Sequence, residues 1–206
     1  AMDSDPLNVP PSVTLEADVS IPEGDTHSYA VVSSHDPDGI IIAYEWDFDG
    51  LGTIVTGIPS CSYTFMDDDE YTVTVTVYDN EHGTASDSMT ATITDKGPMA
   101  FITGPTMVYE GSDAHFDGSI SFSYPDDIAL LAWDFDYDGT TFDADDVGTL
   151  GVYSWCDDGN YTVALNVTDE DGSWNITTMN VTVLDLSPYA RFTYTAVVDE
   201  GGFATF

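Results

Sequence analysis

The 206 residues are 42% hydrophobic and 13% aromatic, enough for one or two packed domains and too apolar for wholesale disorder. The charge is the outlier: 38 acidic residues stand against two basic ones, Lys96 and Arg191, for a formal net charge of −36. That excludes nucleic acid and direct membrane contact, since both carry the same sign, and it destabilises the compact state unless cations screen or bind the chain.

In chain order, the first marker is the turn pair Glu23-Gly24, followed by the turn-rich Ser34-His35-Asp36-Pro37-Asp38-Gly39. Ile40, Ile42, Tyr44, Trp46 and Phe48 then recur at a period of two, which predicts a half-buried strand with all five on one face. Tyr71, Val73, Val75 and Val77 repeat the pattern, with Thr72, Thr74 and Thr76 opposite, and Met89, Ala91 and Ile93 form a last strand. Asp95-Lys96-Gly97-Pro98 reads as a connector of a few residues.

Beyond the connector the pattern starts again. Glu23-Gly24 recurs 87 positions later as Glu110-Gly111, and Trp46-Asp47-Phe48-Asp49 recurs at the same interval as Trp133-Asp134-Phe135-Asp136. Tyr71-Thr72-Val73 recurs 90 positions later as Tyr161-Thr162-Val163, so three extra residues lie between Trp133 and Tyr161. Leu131, Trp133, Phe135 and Tyr137 share a predicted strand face, as do Tyr161, Val163, Leu165 and Val167, then Met179, Val181 and Val183. Ser187-Pro188-Tyr189-Ala190-Arg191-Phe192 matches Gly97-Pro98-Met99-Ala100-Phe101, so a third repeat opens there and is cut at Phe206, as in a fragment. A self-similar period near 90 residues, alternating strands and no helical periodicity predict an all-β chain. It comprises two tandem immunoglobulin-like β-sandwiches, residues 7–96 and 97–186, plus the first strands of a truncated third repeat at 187–206.

A tryptophan on the central strand and a tyrosine opening a late strand (Tyr71, Tyr161) are the immunoglobulin-like signature, here without its disulfide. Cys61 and Cys156 occupy non-equivalent places and are read as free, at least partly buried thiols. With Tyr44–Phe48, Tyr71–Val77 and Asp79 to Gly83, and again Leu131–Phe135, Tyr161–Val167 and Asp169 to Gly172, the chain resembles the polycystic-kidney-disease-type (PKD) repeat family. The resemblance implies an immunoglobulin-like sandwich in large exported proteins, serving as spacer, adhesion module or accessory module beside a secreted hydrolase. The family's usual Gly-Asp-Gly after the tryptophan strand is replaced by Asp49-Gly50-Leu51-Gly52 and by Asp136-Tyr137-Asp138-Gly139.

The main candidate for chemistry is Asp134-Phe135-Asp136-Tyr137-Asp138-Gly139, with Asp143, Asp145 and Asp146 following. It opens like a calcium loop, and Asp145 stands where such a loop carries its Glu. Alternation places Asp134, Asp136 and Asp138 on one outer face opposite the core aromatics. A weaker set is Asp36, Asp38 and Asp79 in the first repeat, with Asp126, Asp127, Asp169 and Asp171 in the second. Joined in series, the first repeat's end carrying Asp47, Asp49 and Asp67-Asp68-Asp69-Glu70 is expected to face that second acidic end. A divalent cation would relieve the repulsion there. Asn160, Asn166, Asn175 and Asn180 each open a glycosylation sequon, and parity points Asn166 and Asn180 outward.

The four histidines have no nucleophile pattern around them, and carboxylates are too numerous for any pair to mark a glycosidase. No run of 18 apolar residues is long enough to span a membrane as a helix. The expectation is a non-catalytic extracellular module, a structural or adhesive stalk or spacer of a larger surface protein, stabilised by Ca2+. Its partners would be other repeats of the same protein, or a surface protein or polysaccharide. The alternative is a carbohydrate- or protein-binding accessory module of a secreted hydrolase, for which Trp174 is the candidate exposed platform.

Overall fold

The computed structural model describes residues 8–191, and among them every regular element is a strand. In the first repeat these are β1 (Ser12–Leu15), β2 (Val19–Pro22), β3 (Thr26–His35), β4 (Ile41–Phe48), β5 (Thr53–Thr56), β6 (Ser60–Thr64), β7 (Asp69–Asp79) and β8 (Thr84–Thr94). In the second they are β9 (Met107–Tyr109), β10 (Ala114–Asp117), β11 (Ile128–Asp134), β12 (Asp146–Val147), β13 (Leu150–Tyr153), β14 (Gly159–Asp169) and β15 (Trp174–Leu184). The third-repeat strands expected over 187–206 fall, from Phe192 on, outside the described residues.

Two units emerge from the contacts. The first comprises, among the described residues, 8–100 together with 120–131 and 166–176. Its sandwich sets the sheet β1-β3-β6 against the sheet β2-β8-β7-β4-β5. The opening segment leaves one sheet for the other after Leu15, and β2 pairs in parallel with β8. Carboxylates take over as acceptors along this crossing: Asp87 from Leu15 N–H, Glu16 from Ala30 N–H, Asp18 from Thr90 N–H. Trp46, Phe48, Tyr29, Val73, Val75 and Val77 are fully buried between the sheets. Each such valine is worth roughly 1.5–3 kcal/mol relative to exposure.

The predicted face of β4 is only half right. Tyr44, Trp46 and Phe48 are buried, but Ile40 and Ile42 are 66% and 57% exposed. The register between β4 and β7 shifts between Ile41 and Ala43, and Ile41 packs on the core instead. One irregular residue reverses the parity of everything before it.

The second unit holds, among the described residues, 101–119, 132–165 and 177–191. It sets β10-β13 with the order β12-β11-β14-β15-β9, in which β9 again pairs in parallel with β15. Trp133, Phe135, Phe116 and Leu165 are buried, and Trp155 occupies the core place that Phe65 has in the first repeat. Indole N–H groups are satisfied: Trp133 donates to the Gly148 carbonyl at 2.8 Å and Trp155 to the Phe135 carbonyl at 3.3 Å. Both tyrosine corners are formed, Tyr71 O–H donating to the Asp67 carbonyl and Tyr161 O–H to that of Asp157. Both cysteines are free; Cys61 is buried as expected, whereas Cys156 is exposed because it follows the buried Trp155 into a turn.

Candidate cation sites

The main acidic loop is more enclosed than alternation predicts. β11 stops at Asp134, a residue only 1% exposed rather than on an open outer face. The segment carrying the extra residues folds over it. Asp145 N–H donates to the Trp133 carbonyl at 2.7 Å, and Asp143 N–H donates to Asp134 Oδ2 at 3.0 Å. Asp134 Oδ1 accepts Asp136 N–H at 3.1 Å, and Asp145 Oδ2 accepts Phe135 N–H at 2.8 Å.

One carboxylate oxygen from each of Asp134, Asp136 and Asp145 lies within 4.8 Å of the others. Oxygens at about 2.3–2.6 Å from a calcium ion can stand no farther apart than roughly that, so the three fit one ion. Asp138 and Asp143 line the same pocket with Thr141. Asp138 Oδ1 is already committed, accepting from Thr140 N–H, Thr140 Oγ1 and Thr141 N–H, and the bonds from Thr141 and Thr140 hold its pKa below the usual carboxylate range. Desolvation and then the charges of Asp145, Asp134 and Asp143 push Asp136 up. An arrangement that raises a carboxyl by crowding it with its own kind favours a cation as neighbour.

The weaker set divides. Asp79 is buried and caps the β7–β8 hairpin, accepting N–H bonds from Glu81 at 2.8 Å and Gly83 at 2.7 Å, with Asn8 Nδ2 on its other oxygen at 3.1 Å. Burial pushes its pKa up, but those bonds and nearby His82 outweigh it, and the net shift is downward. Asp38 accepts Val9 N–H, while Asp36 keeps one buried oxygen with no partner. In the second repeat, Asp169 accepts from Ser123 Oγ at 3.4 Å and leaves its other oxygen buried and unpartnered. Asp127 is exposed and contributes its carbonyl to Glu170 N–H.

Asp126 and Asp171 go elsewhere. They gather with Glu23 and Asp95, one oxygen of each of the four within 4.8 Å of the rest. Asp171 also groups with Asp67 and Asp68, but Asp47, placed in this region by the sequence, instead accepts Gly50 N–H in its own turn. Burial first, then Asp126 and Asp171, push Glu23 up to about 7 against the lowering effect of its bond from Lys96 N–H. Desolvation, followed by Asp126, Asp68 and Asp67, pushes Asp171 up to about 6.

Sequence reasoning missed Glu23 and Asp95 as site residues. The signal was the recurrence of Glu-Gly itself: Glu23 accepts Lys96 N–H at 2.9 Å, and Glu110 accepts Leu186 N–H at 3.0 Å. In each repeat this glutamate clamps the backbone that leaves the last strand.

Among the sequon asparagines, Asn180 is exposed and accepts from Thr162 Oγ1, and Asn160 accepts from Thr182 Oγ1. Asn175 Nδ2 donates to the Pro98 carbonyl. Parity misplaces Asn166, whose amide oxygen is buried without a partner. Trp174 is 64% exposed.

The family described as PKD domain matches residues 8–94 and again 95–183. Among solved structures, the chain is similar to the PKD1 domain of Vibrio anguillarum Epp at 26% identity, covering 43% of this chain and 99% of that one with a TM-score of 0.35. It is similar to the PKD1 domain of the Vibrio cholerae metalloprotease PrtV at 25% identity, over 43% of this chain and 100% of that one, TM-score 0.35. The fibronectin(III)-like modules of Clostridium thermocellum CbhA align at 10% identity over 88% of this chain and 100% of theirs, TM-score 0.40.

Proposed function

The chain belongs to the PKD domain family, and on that premise we propose that its two domains form a calcium-stabilised structural or adhesive section, a stalk or spacer, of a larger extracellular protein. Domains of this family occur in exported proteins and are typically non-catalytic. The observation that carries the calcium reading is the clustering of one oxygen each from Asp134, Asp136 and Asp145 within 4.8 Å of one another, with Asp134 buried. A hard divalent cation suits an all-carboxylate cage, and its charge offsets the repulsion that the loop would otherwise store.

The test is thermal unfolding with calcium and with chelator. At about 100 times the dissociation constant, calcium adds roughly 2.7 kcal/mol to the domain that binds it, several degrees in melting temperature. Asp136→Asn loses most of that increment and little of the metal-free stability. If sodium chloride at matched ionic strength reproduces the whole increment, screening explains it and the loop holds no ion.

Exposed Trp174 favours a second reading, an accessory module of a secreted hydrolase that recognises polysaccharide or protein. Affinity electrophoresis in soluble polysaccharides separates the two. Retardation abolished by Trp174→Ala supports the accessory reading, and unretarded migration leaves the stalk.

A further inference from the structure

We propose that Glu23, Asp95, Asp126 and Asp171 form a second divalent-cation site, of the calcium class, separate from the Asp134 loop. The four come from separate segments of the first unit: the turn after β2, the connector after β8, the β10–β11 loop and the β14–β15 hairpin. Their oxygens lie within 4.8 Å of one another.

Crowded acids alone would not make a site, but Glu23 adds an independent observation. It is 0% exposed, and only one of its oxygens is used: Oε1 accepts Lys96 N–H, while Oε2 is buried with no hydrogen-bond partner. Asp126 Oδ2 is likewise buried and unpartnered. A buried carboxylate oxygen without a donor is costly, and both of these residues belong to the same four-carboxylate cluster.

No basic side chain fills the gap. Lys96 passes through the cluster with its backbone, but its ammonium turns away to Asp25 at 3.0 Å. Asp95 has one oxygen held by Ser173 Oγ–H. Glu23 is also fixed in place. Its own N–H donates to the Thr94 carbonyl at 3.0 Å, and the next residue, Gly24, has φ +70° and donates to the Phe65 carbonyl at 2.8 Å. A Cβ on Gly24 would stand 2.9 Å from the ring of Tyr124, which leads into Pro125 and Asp126. The backbone therefore presents a rigid carboxylate to a loop packed against it.

Hard oxygen donors from four separate segments suit calcium, which tolerates irregular shells of six to eight oxygens, with water completing the set. Magnesium demands a near-ideal octahedron and keeps its waters.

The experiment is calcium titration by calorimetry on the 206-residue chain, for the unaltered protein, Glu23→Gln, Asp171→Asn, Asp136→Asn and the pair Glu23→Gln with Asp136→Asn. Glu23→Gln and Asp171→Asn are each expected to weaken one binding event at least about tenfold, since even outer-shell partners cost 10–100-fold. Asp136→Asn leaves that event intact, so loss of the Asp134 loop and loss of this site are read separately. In chelator at pH 8, Glu23→Gln melts no lower than the parent, because the amide removes a buried charge. If it fails to fold, Asp171→Asn on the exposed rim carries the test. Calcium affinities unchanged by both Glu23→Gln and Asp171→Asn would overturn the proposal and leave Glu23 and Asp126 as an acid pair sharing a proton.

Discussion

Tyr29 is fully buried in the first sandwich, yet its hydroxyl has no hydrogen-bond partner. Burial first, then Glu16 and Tyr63, push its pKa from 10.0 up to about 12. Unfolded, the phenol loses its proton near pH 10, while in the fold it keeps it to about 12. The folded state therefore binds the extra proton in that window, and the stability it represents, complete below pH 10, is lost as pH rises toward 12. Tyr29→Phe should flatten that part of the alkaline unfolding profile. At pH 7 it should also stabilise by about 1 kcal/mol, because an unsatisfied buried hydroxyl is removed. A loss of stability in urea at pH 7 would mean the hydroxyl has a partner after all. Many acidic side chains, by contrast, do have partners: Asp18, Asp38, Asp79 and Asp87 each accept a backbone N–H. Their abundance in turns was legible in the sequence. Which few lack a donor was not, because Glu23 and Asp126 become neighbours only through the fold.

At the scale of the strands, period-two patterning located the β4, β7, β11 and β14 cores, and the recurring tyrosines located both corners. It failed where geometry departs from ideal pleating. The irregularity between Ile41 and Ala43 has no compositional mark, and the cover over Asp134 comes from a loop with no periodicity. Gly151 in β13 is a constraint of the same tertiary kind. A Cβ there would meet Trp133 at 2.8 Å and Phe135 at 3.0 Å, both in the fully packed centre of the second sandwich. Gly151→Ala should cost about 1–3 kcal/mol, as overpacked cores do. Gly52 has nothing within 4 Å of its would-be Cβ and no positive φ, so Gly52→Ala should stay within about 0.5 kcal/mol of the parent. Urea midpoints of the two variants, at unchanged slope, measure the difference. Equal shifts would mean the Trp133–Phe135 layer yields to an added methyl.

Over the whole molecule, the decisive number is −36 with two basic side chains. In most proteins added salt screens attractions and repulsions together, and the two effects partly cancel. Here the attractions are nearly absent: the ion pairs among the described residues are Lys96–Asp25 and, only when the imidazole carries a proton, His27–Glu16, both partly exposed and each worth at most about 1 kcal/mol. Repulsions dominate, from the Asp67-Asp68-Asp69-Glu70 run to the clusters around Asp134 and Glu23. Unfolding spreads those charges apart, so the folded state gains more from screening than the unfolded state does. In chelator, the melting temperature should therefore rise as sodium chloride goes from about 0.01 M to 0.15 M, where the Debye length falls from about 30 Å to 8 Å, and then level off. Magnesium or calcium at the same ionic strength should follow one curve if only screening acts. Calcium should rise above it if carboxylate cages take up the ion, because coordination depends on ion size and screening does not. Differential scanning calorimetry across the three salts distinguishes these outcomes. A melting temperature that falls with sodium chloride would show that the exposed pairs outweigh the acidic self-repulsion.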